Sequence, residues 1–403
     1  MRAYLSDKYP LKSDIIKKEL ESVILFRREL HRYPEVSHRE KETAGRILKY
    51  IEDLQNLSIK TFANNNGIIV DLEGTKSVSS SKKRLLFRAD MDALPITETT
   101  GLSYSSVNNG IMHACGHDFH IAMLACLIRV LARHSDILPQ KYRFVFQPAE
   151  EDSISCGAKS MIELGCLDGV DEAYGAHIWP YLKTGQVGVK QGPIMASCDR
   201  ININVKGKSA HAGLPHLGID ASVIVASLLL SYQSIVSRMC DPNESCTINF
   251  GQIEAGVRHN VIAEKASMSG TCRSFSPDVR EKIENAIKRI AKGTSKSWKT
   301  NITVDYIRGY PALINNAELC RKARATLAEE KLVECPQILA AEDFSYFAQE
   351  VPSLFIWLGC MNNKKSCDCQ QLHNGSFSAD ERVLSTGIRV FLKLALQKDP
   401  TVI

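Results

Sequence analysis

Apolar positions along the chain alternate between two periods. Ile15, Ile16, Leu20, Ile24, Leu25 and Leu30 recur near helical spacing and predict an amphipathic helix over 13–32. Ser13 is its expected N-cap, and Tyr33-Pro34-Glu35 breaks it. A second helix is expected at about 38–54, on Ala44, Ile47, Leu48, Ile51 and Leu54. Short apolar runs then predict buried strands: Ile68-Ile69-Val70 after the Asn64–Gly67 turn, Leu85-Leu86-Phe87, and Tyr142 to Phe146. Ile121 to Ile128 is apolar throughout and reads as a buried helix. A helix over 157–165 and a strand over 173–177 follow. Ser77 to Ser81 is a polar loop.

The texture changes near residue 190. Asp199 to Val205 alternates polar and apolar residues, as a half-exposed strand does. A long apolar helix (219–239), strands near 246–253 and 264–274, and a helix near 278–292 suit an α+β sandwich. Trp298 to Ile307 is expected to return to the first domain. Helix 316–329, strand 353–358 and helix 381–397 then complete that domain. The fold class is α/β with two domains: a discontinuous one over 1–189 and 302–403, and an inserted one over 190–301.

Composition narrows the function classes. A length of 403 residues favours two domains over one. Hydrophobic content of 44% and charged content of 24% are ordinary for a soluble globular protein. The net charge of +5 is small, and no basic patch is interleaved with aromatics, so no nucleic-acid partner is expected. No apolar run of membrane-spanning length is seen, and the N-terminal residues lack the apolar core of a signal peptide. Thirteen cysteines, an odd count, fit reduced thiols in a cytoplasm better than a disulfide framework.

The densest chemistry is His113-Ala114-Cys115-Gly116-His117-Asp118-Phe119-His120, at the head of the buried helix. Thiolate and imidazole are good ligands for zinc and similar divalent metals, and the glycine lets neighbouring side chains converge. The plain alternative is a polar loop with an inert buried cysteine. Three strand ends weigh against it. Leu85-Leu86-Phe87 runs into Arg88-Ala89-Asp90-Met91-Asp92, the next strand into Gln147-Pro148-Ala149-Glu150-Glu151, and a third ends at His177. Ligand-type residues past the carboxyl ends of buried strands stand where α/β sheets place their sites. The adjacent glutamates are expected to point different ways, one to metal and one to substrate. Cys367 and Cys369, one residue apart, lack the usual two-pair zinc spacing.

These residues resemble the M20 metallopeptidase family in its amidohydrolase branch. That branch holds aminoacylases, hippurate hydrolases, auxin-conjugate hydrolases and N-acetyldiaminopimelate deacetylases. The matching segments are Arg28 to Glu35, Arg88 to Pro95, His113 to His120, Gln147 to Glu151 and Gly175-Ala176-His177. Ser209-Ala210-His211-Ala212, Arg258 to Ile262, Ala341 to Phe347 and Leu372-His373-Asn374 continue the match across nearly the whole chain. Two features depart from the pattern: Val261-Ile262-Ala263, where relatives commonly have proline third, and the Cys367-Asp368-Cys369 stretch.

The resemblance implies a catalytic α/β domain with a mixed sheet flanked by helices, and an inserted lid and dimerisation domain. It implies two divalent ions per subunit (Zn, Mn, Ni or Co), with Cys115, His117, Glu151, His177 and His373 as ligands. Cys115 would bridge them. It makes Glu150 the general base and Asp92 the acid that orients a ligand. His211 matches a histidine that reaches the partner subunit's site, while Asn260 and Arg273 match substrate-contact positions. Outside the branch Asp90 aligns with a histidine ligand, and that role is not carried over. The expected function is hydrolysis of N-acyl amino acids or short peptides by a cytoplasmic homodimer or higher oligomer. The alternatives are a dipeptidase or carboxypeptidase with the same site, and a catalytically inactive binding protein that keeps the fold.

Overall fold

A computed structural model describes residues 14–73, 83–361 and 371–397. Ser13, the Ser77–Ser81 loop and the Cys367/Cys369 pair lie outside the described residues. The chain forms two compact units. One comprises Met1–Gly192, Asn315–Pro336 and Tyr346–Ile403; the other comprises Pro193–Ile314 and Gln337–Ser345.

The first unit opens with α1 (Asp14–Arg32) and α2 (Lys41–Ile51). An antiparallel pair follows, β1 (Leu57–Phe62) and β2 (Asn65–Glu73). The periodicity does not predict β1 because it is an edge strand with no fully buried residue, only Leu57 packing partly on the core. Next come β3 (Arg84–Asp90), α3 (His117–Ala132), β4 (Lys141–Gln147), α4 (Gly157–Glu163), β5 (Glu172–Lys183) and the short β6 (Gln186–Gly188).

The second unit takes up β7 (Gly192–Met195), β8 (Asp199–Lys206) and α5 (Ala221–Ser234), which a π-turn extends over Ile235–Met239. It goes on through β9 (Cys246–Ala255), β10 (Lys265–Ser274), α6 (Pro277–Trp298), β11 (Asn301–Arg308) and β12 (Leu313–Asn315). The chain then runs through α7 (Ala317–Thr326), β13 (Lys331–Val333), α8 (Ser345–Glu350), β14 (Ser353–Met361) and α9 (Val383–Ala395).

The sheet of the first unit has eight strands in the order β1-β2-β4-β3-β5-β14-β6-β13. Its centre, β4-β3-β5-β14, is parallel. These strands are buried almost end to end, as parallel strands covered on both faces must be. Of the sixteen residues of α3 only Arg129 is not fully buried, so this helix has no solvent face. Because β3, β4, β5 and β14 run the same way, their carboxyl ends share one edge. Asp92 and Glu150 fall just past the ends of β3 and β4, whereas β5 does not end at His177 as expected: it runs on to Lys183, and His177 is an interior residue of the strand paired with Trp357 of β14.

In the second unit a four-stranded antiparallel sheet, β11-β8-β10-β9, packs against α5 and α6. Ile201, Ile203 and Val205 meet Leu228, Ile283 and Ile287 in its core. Two expectations are corrected here. Asn301–Arg308 does not return to the first unit; it pairs with β8 along its whole length, with Ile302, Val304 and Tyr306 packed on the core. The alternation there belongs to a fourth strand covering the helices. Further, Ala221–Met239 is long and apolar enough to cross a membrane by length and composition. Its buried face, Ile224, Val225, Leu228, Tyr232 and Ile235, lies in the core, while Val223 and Leu230 are 48% and 73% exposed.

Two glycines separate packing from propensity. A methyl at Gly157 would stand 1.6 Å from the Pro148 carbonyl oxygen, a backbone atom that cannot swing aside. Gly45, in the exposed middle of α2, has nothing within 4 Å. Gly157→Ala is expected to cost about 1–3 kcal/mol of unfolding free energy in urea. Gly45→Ala should be neutral or stabilise by up to about 1 kcal/mol. Equal midpoints for the two variants would contradict the close approach of α4 to the turn before Glu150.

Candidate metal centre

The site begins with a backbone constraint. Gly116 caps α3 in the left-handed region, at φ 86°, and a methyl there would lie 2.4 Å from the Ile178 side chain. Only glycine fits such a turn against β5. The turn sets Cys115 just before the helix and His117 in its first position. His373, also at positive φ, donates its backbone N–H to the Ala114 carbonyl at 2.9 Å. A residue near the end of the chain is thereby laid beside Cys115.

Of the three-donor groups in this region, two share Cys115. Cys115, His117 and His177 form one, and Cys115, Glu151 and His373 form the other; within each, the donor atoms lie within 4.8 Å of one another. Cys115 is common to both. Its Sγ is 3.2 Å from His177 Nε2, and His373 Nε2 is 3.3 Å from a Glu151 oxygen. Both glutamates approach His117 Nε2, Glu150 at 3.9 Å and Glu151 at 4.0 Å. The expected divergence of the pair is therefore smaller than the sequence reading has it.

Hydrogen bonds select the ligand nitrogens. His117 Nδ1 lies 2.9 Å from the Asp92 carbonyl, and His177 Nδ1 lies 2.6 Å from the Ile178 carbonyl. A carbonyl only accepts, so each Nδ1 carries a proton and each Nε2 is the nitrogen turned into the site. His117 Nε2 is buried without a hydrogen bond, and the buried Glu151 Oε1 has the His373 ring at 3.3 Å as its ion-pair partner. An orphaned buried nitrogen beside a thiol is what a divalent ion satisfies, so the donor set fits a metal pair.

The third histidine of the cluster behaves differently. His120 Nε2 accepts the Ile178 N–H at 2.9 Å, so its Nδ1 donates to Asp90 at 2.6 Å. Both nitrogens are spent, which removes His120 from the ligand set. Asp90 also takes an Arg88 hydrogen bond at 2.6 Å, and Arg88 holds Gln147 at 2.9 Å. This buried Arg88–Asp90–His120 chain ties β3, β4 and β5 together beneath the site. His113 does not join the donors either. It is buried with both nitrogens unpartnered, and burial lowers its pKa to about 4.

Asp92 organises the glutamates. Its two oxygens accept the N–H groups of Glu150 at 3.1 Å and Glu151 at 2.9 Å, and the Ser37 hydroxyl at 2.7 Å. Burial pushes its pKa up, but the His117 ring and these donors outweigh that and hold it below the usual carboxylate range. Burial and the nearby Glu151, Glu150 and Asp90 raise the Cys115 thiol well above its ordinary value. His117 rises to about 10, because Asp90, Asp92 and Glu151 overcome the opposing effect of burial. Burial and His120 hold His177 well below its ordinary value, and so neutral.

Seven residues singled out from the sequence meet here: Asp92, Cys115, His117, Glu150, Glu151, His177 and His373. Three belong to the second unit. His211 bridges Val261 there, the Ala212 N–H donates to the Asn260 carbonyl at 3.2 Å, and both His211 and Asn260 are exposed. Arg273 lies on β10 and donates to the Leu339 carbonyl at 2.8 Å. The sequence reading missed Ser37, Glu40 and the Arg88–Asp90–His120 chain. Arg88 and His120 stood inside segments already singled out, whereas Ser37 and Glu40 carry no local signal.

Comparison with known proteins agrees with this geometry. The family model described as peptidase family M20/M25/M40 matches residues 86–397. Thermostable carboxypeptidase 1 of Saccharolobus solfataricus is 36% identical over 390 residues, covering 96% of this chain and 98% of its own. N-acetylcysteine deacetylase of Bacillus subtilis is 33% identical over 376 residues, covering 93% and 96%. Among solved structures, the Bacillus subtilis YXEP protein, a dinuclear metal-binding peptidase from the M20 family, superposes with a TM-score of 0.82 at 31% identity. That match covers 94% of this chain and 98% of the other.

Metal uptake must displace the Cys115 and His117 protons. Because both pKa values are raised, apparent affinity for zinc should climb as pH rises from about 6 to about 8. Calorimetric titrations in buffers of different ionisation enthalpy should register released protons. Cys115→Ala and His177→Ala should lose metal by elemental analysis; full retention in both would refute the ligand set.

Proposed function

The chain belongs to peptidase family M20/M25/M40 and is a metal-dependent amidohydrolase, and from that premise we propose that it removes the acyl group from N-acyl amino acids. The observation that carries the proposal is the pair of three-donor groups sharing Cys115, with the Glu150 carboxylate 3.9 Å from His117. The proposed cofactor is two divalent ions per subunit, Zn, Mn, Ni or Co, held by Cys115, His117, Glu151, His177 and His373. Thiolate and imidazole suit that series. The deacetylase relative supports the acyl-amino-acid substrate. The carboxypeptidase relative keeps dipeptides in the test panel.

When bound, two such ions lower the pKa of a water and polarise an amide carbonyl. Glu150 takes the proton of the attacking water and returns it to the departing amine, which otherwise leaves poorly. Asp92 holds the backbone of both glutamates, so Glu150 can move a proton without losing its place. Glu151 fixes its oxygen toward His373. His211 is proposed to donate to the oxyanion of the tetrahedral intermediate. Its Nδ1 accepts the Gly213 N–H at 3.0 Å, which leaves the proton on Nε2 and makes that nitrogen a donor. Asn260 and Arg273 are proposed to hold the substrate's carboxylate or backbone.

The proposal includes a homodimer in which His211 serves the partner's site. The exposed Val223 and Leu230 on α5, and the unpaired edge of β9 with its exposed Ile253, support an isologous contact. A cytoplasmic location is part of the same reading, supported by the eleven described cysteines, none of them in a disulfide.

Glu150→Gln should keep fold and metal while turnover of a panel of N-acyl amino acids falls about a hundred- to ten-thousand-fold. A near wild-type rate would move the base elsewhere. Dipeptide hydrolysis without any deacylation would overturn the substrate class.

Mixing inactive His211→Ala with inactive Glu150→Gln should restore activity as subunits exchange. One of the two sites in each mixed dimer regains both residues. No recovery despite demonstrated exchange would refute the trans role.

A further inference from the structure

The turn that carries the two glutamates is conformationally unusual. Ala149 sits at φ 52°, a left-handed conformation rare for a residue with a side chain, and is fully buried. Such a conformation persists only where its surroundings over-determine it. Three consecutive backbone N–H groups emerge from the turn, at Ala149, Glu150 and Glu151. Asp92 takes the second and third. The first goes to Glu40, whose Oε1 accepts it at 2.8 Å.

Glu40 is fully buried and comes from the connection between α1 and α2, far in sequence from the turn. Its partners are all hydrogen-bond donors. Oε1 also accepts the His38 N–H at 3.0 Å, and Oε2 accepts Asn66 Nδ2 at 3.0 Å. The same connection supplies Ser37, which donates to Asp92. On its other side the Ala149 carbonyl accepts the Gly157 N–H at 2.9 Å. The left-handed residue is thus clamped at both of its backbone polar groups, by Glu40 and by the start of α4.

We propose that Glu40 is a positioning residue for catalysis: it holds the Ala149 turn in its left-handed form and thereby aims Glu150 at the reacting water. The proposal rests on the reading of Glu150 as the base. Glu40 touches neither metal ligand side chains nor substrate in this role. It acts through one peptide N–H, one residue before the base. Without that acceptor the buried N–H loses its partner, and Ala149 is free to relax toward negative φ. That relaxation would swing the Glu150 side chain away from its aim. A misplacement on the order of 1 Å is enough to cost about a hundred-fold in rate.

The test compares Glu40→Ala, Glu40→Gln, and Glu40→Ala combined with Ala149→Gly, each with the wild-type protein. Glu40→Ala should lower kcat about ten- to a hundred-fold while KM and bound metal stay nearly unchanged. Glu40→Gln should recover most of that loss. Its Oε1 still accepts both N–H groups, and Asn66 can rotate its amide to offer an oxygen to the new Nε2–H. Adding Ala149→Gly to Glu40→Ala should also recover activity, because glycine holds positive φ without the clamp.

Hydrogen exchange on the metal-free proteins gives a readout independent of turnover. The 149–151 amides should be protected in wild type and Glu40→Gln but exchange faster in Glu40→Ala, with the rest of β4 unchanged. Equal kcat losses in the alanine and glutamine variants would overturn the proposal, as would no recovery from Ala149→Gly or unchanged exchange at 149–151. If Glu150→Gln proves active, the base assignment fails while the exchange result still decides whether Glu40 holds the turn.

Discussion

One buried carboxylate carries the geometry of the site. Asp92 has four competing claims on it and meets all of them: two consecutive peptide N–H groups, a serine hydroxyl and a neighbouring imidazole. Burying a carboxylate is costly unless donors converge on it. Here the convergence draws three distant segments together, the end of β3, the turn after β4 and the connection after α1. Its carbonyl, meanwhile, fixes the tautomer of His117. Moving Asp92 would therefore misplace the proposed metal ligand His117 and the proposed base Glu150 together, by different bonds.

The sheet explains why those segments are near one another at all. Parallel strands run their carboxyl ends toward a common edge, so residues just past β3 and β4 come beside His177 within the longer β5 whatever their sequence separation. Beneath that edge, Arg88, Asp90 and His120 form a buried chain across three strands. Removing one member would leave an uncompensated charge in the core, which is far more damaging than replacing the whole set with apolar residues. The chain fixes the Ile178 N–H, next to the proposed ligand His177, by an ordinary hydrogen bond.

Much of this was legible in the sequence, for physical reasons that also mark the limits. Buried strands and the all-apolar α3 announce themselves because burial on both faces forces continuous apolar runs. Ligand-type residues at strand ends stood out because the core rarely tolerates them elsewhere. The edge strand β1 leaves no pattern, since only Leu57 packs partly on the core. The alternation of β11 is the same whichever sheet it joins, so the pattern does not reveal its pairing with β8. The third histidine illustrates a deeper limit. His117 and His120 share a helix face and look equivalent by composition. Only the Ile178 N–H, delivered from β5, uses up the nitrogen that would otherwise bind metal. Glu40 was missed for a related reason: its partners are backbone groups, and backbone groups leave no trace in side-chain patterns.

The electrostatics of Cys115 join structure to chemistry. A thiolate at this position would add a negative charge beside Glu150, Glu151 and Asp90, in a place that water hardly reaches. Burial and those acids therefore keep the proton on sulfur. The same field lifts His117. A cation that binds here must displace both protons, and it meets donors made more basic by their surroundings. The penalty for ionising the thiol without a metal and the strength of its bond with one thus come from a single arrangement of charges. Sulfur in that position disfavours the hard cations Mg and Ca, for which carboxylates alone would have sufficed.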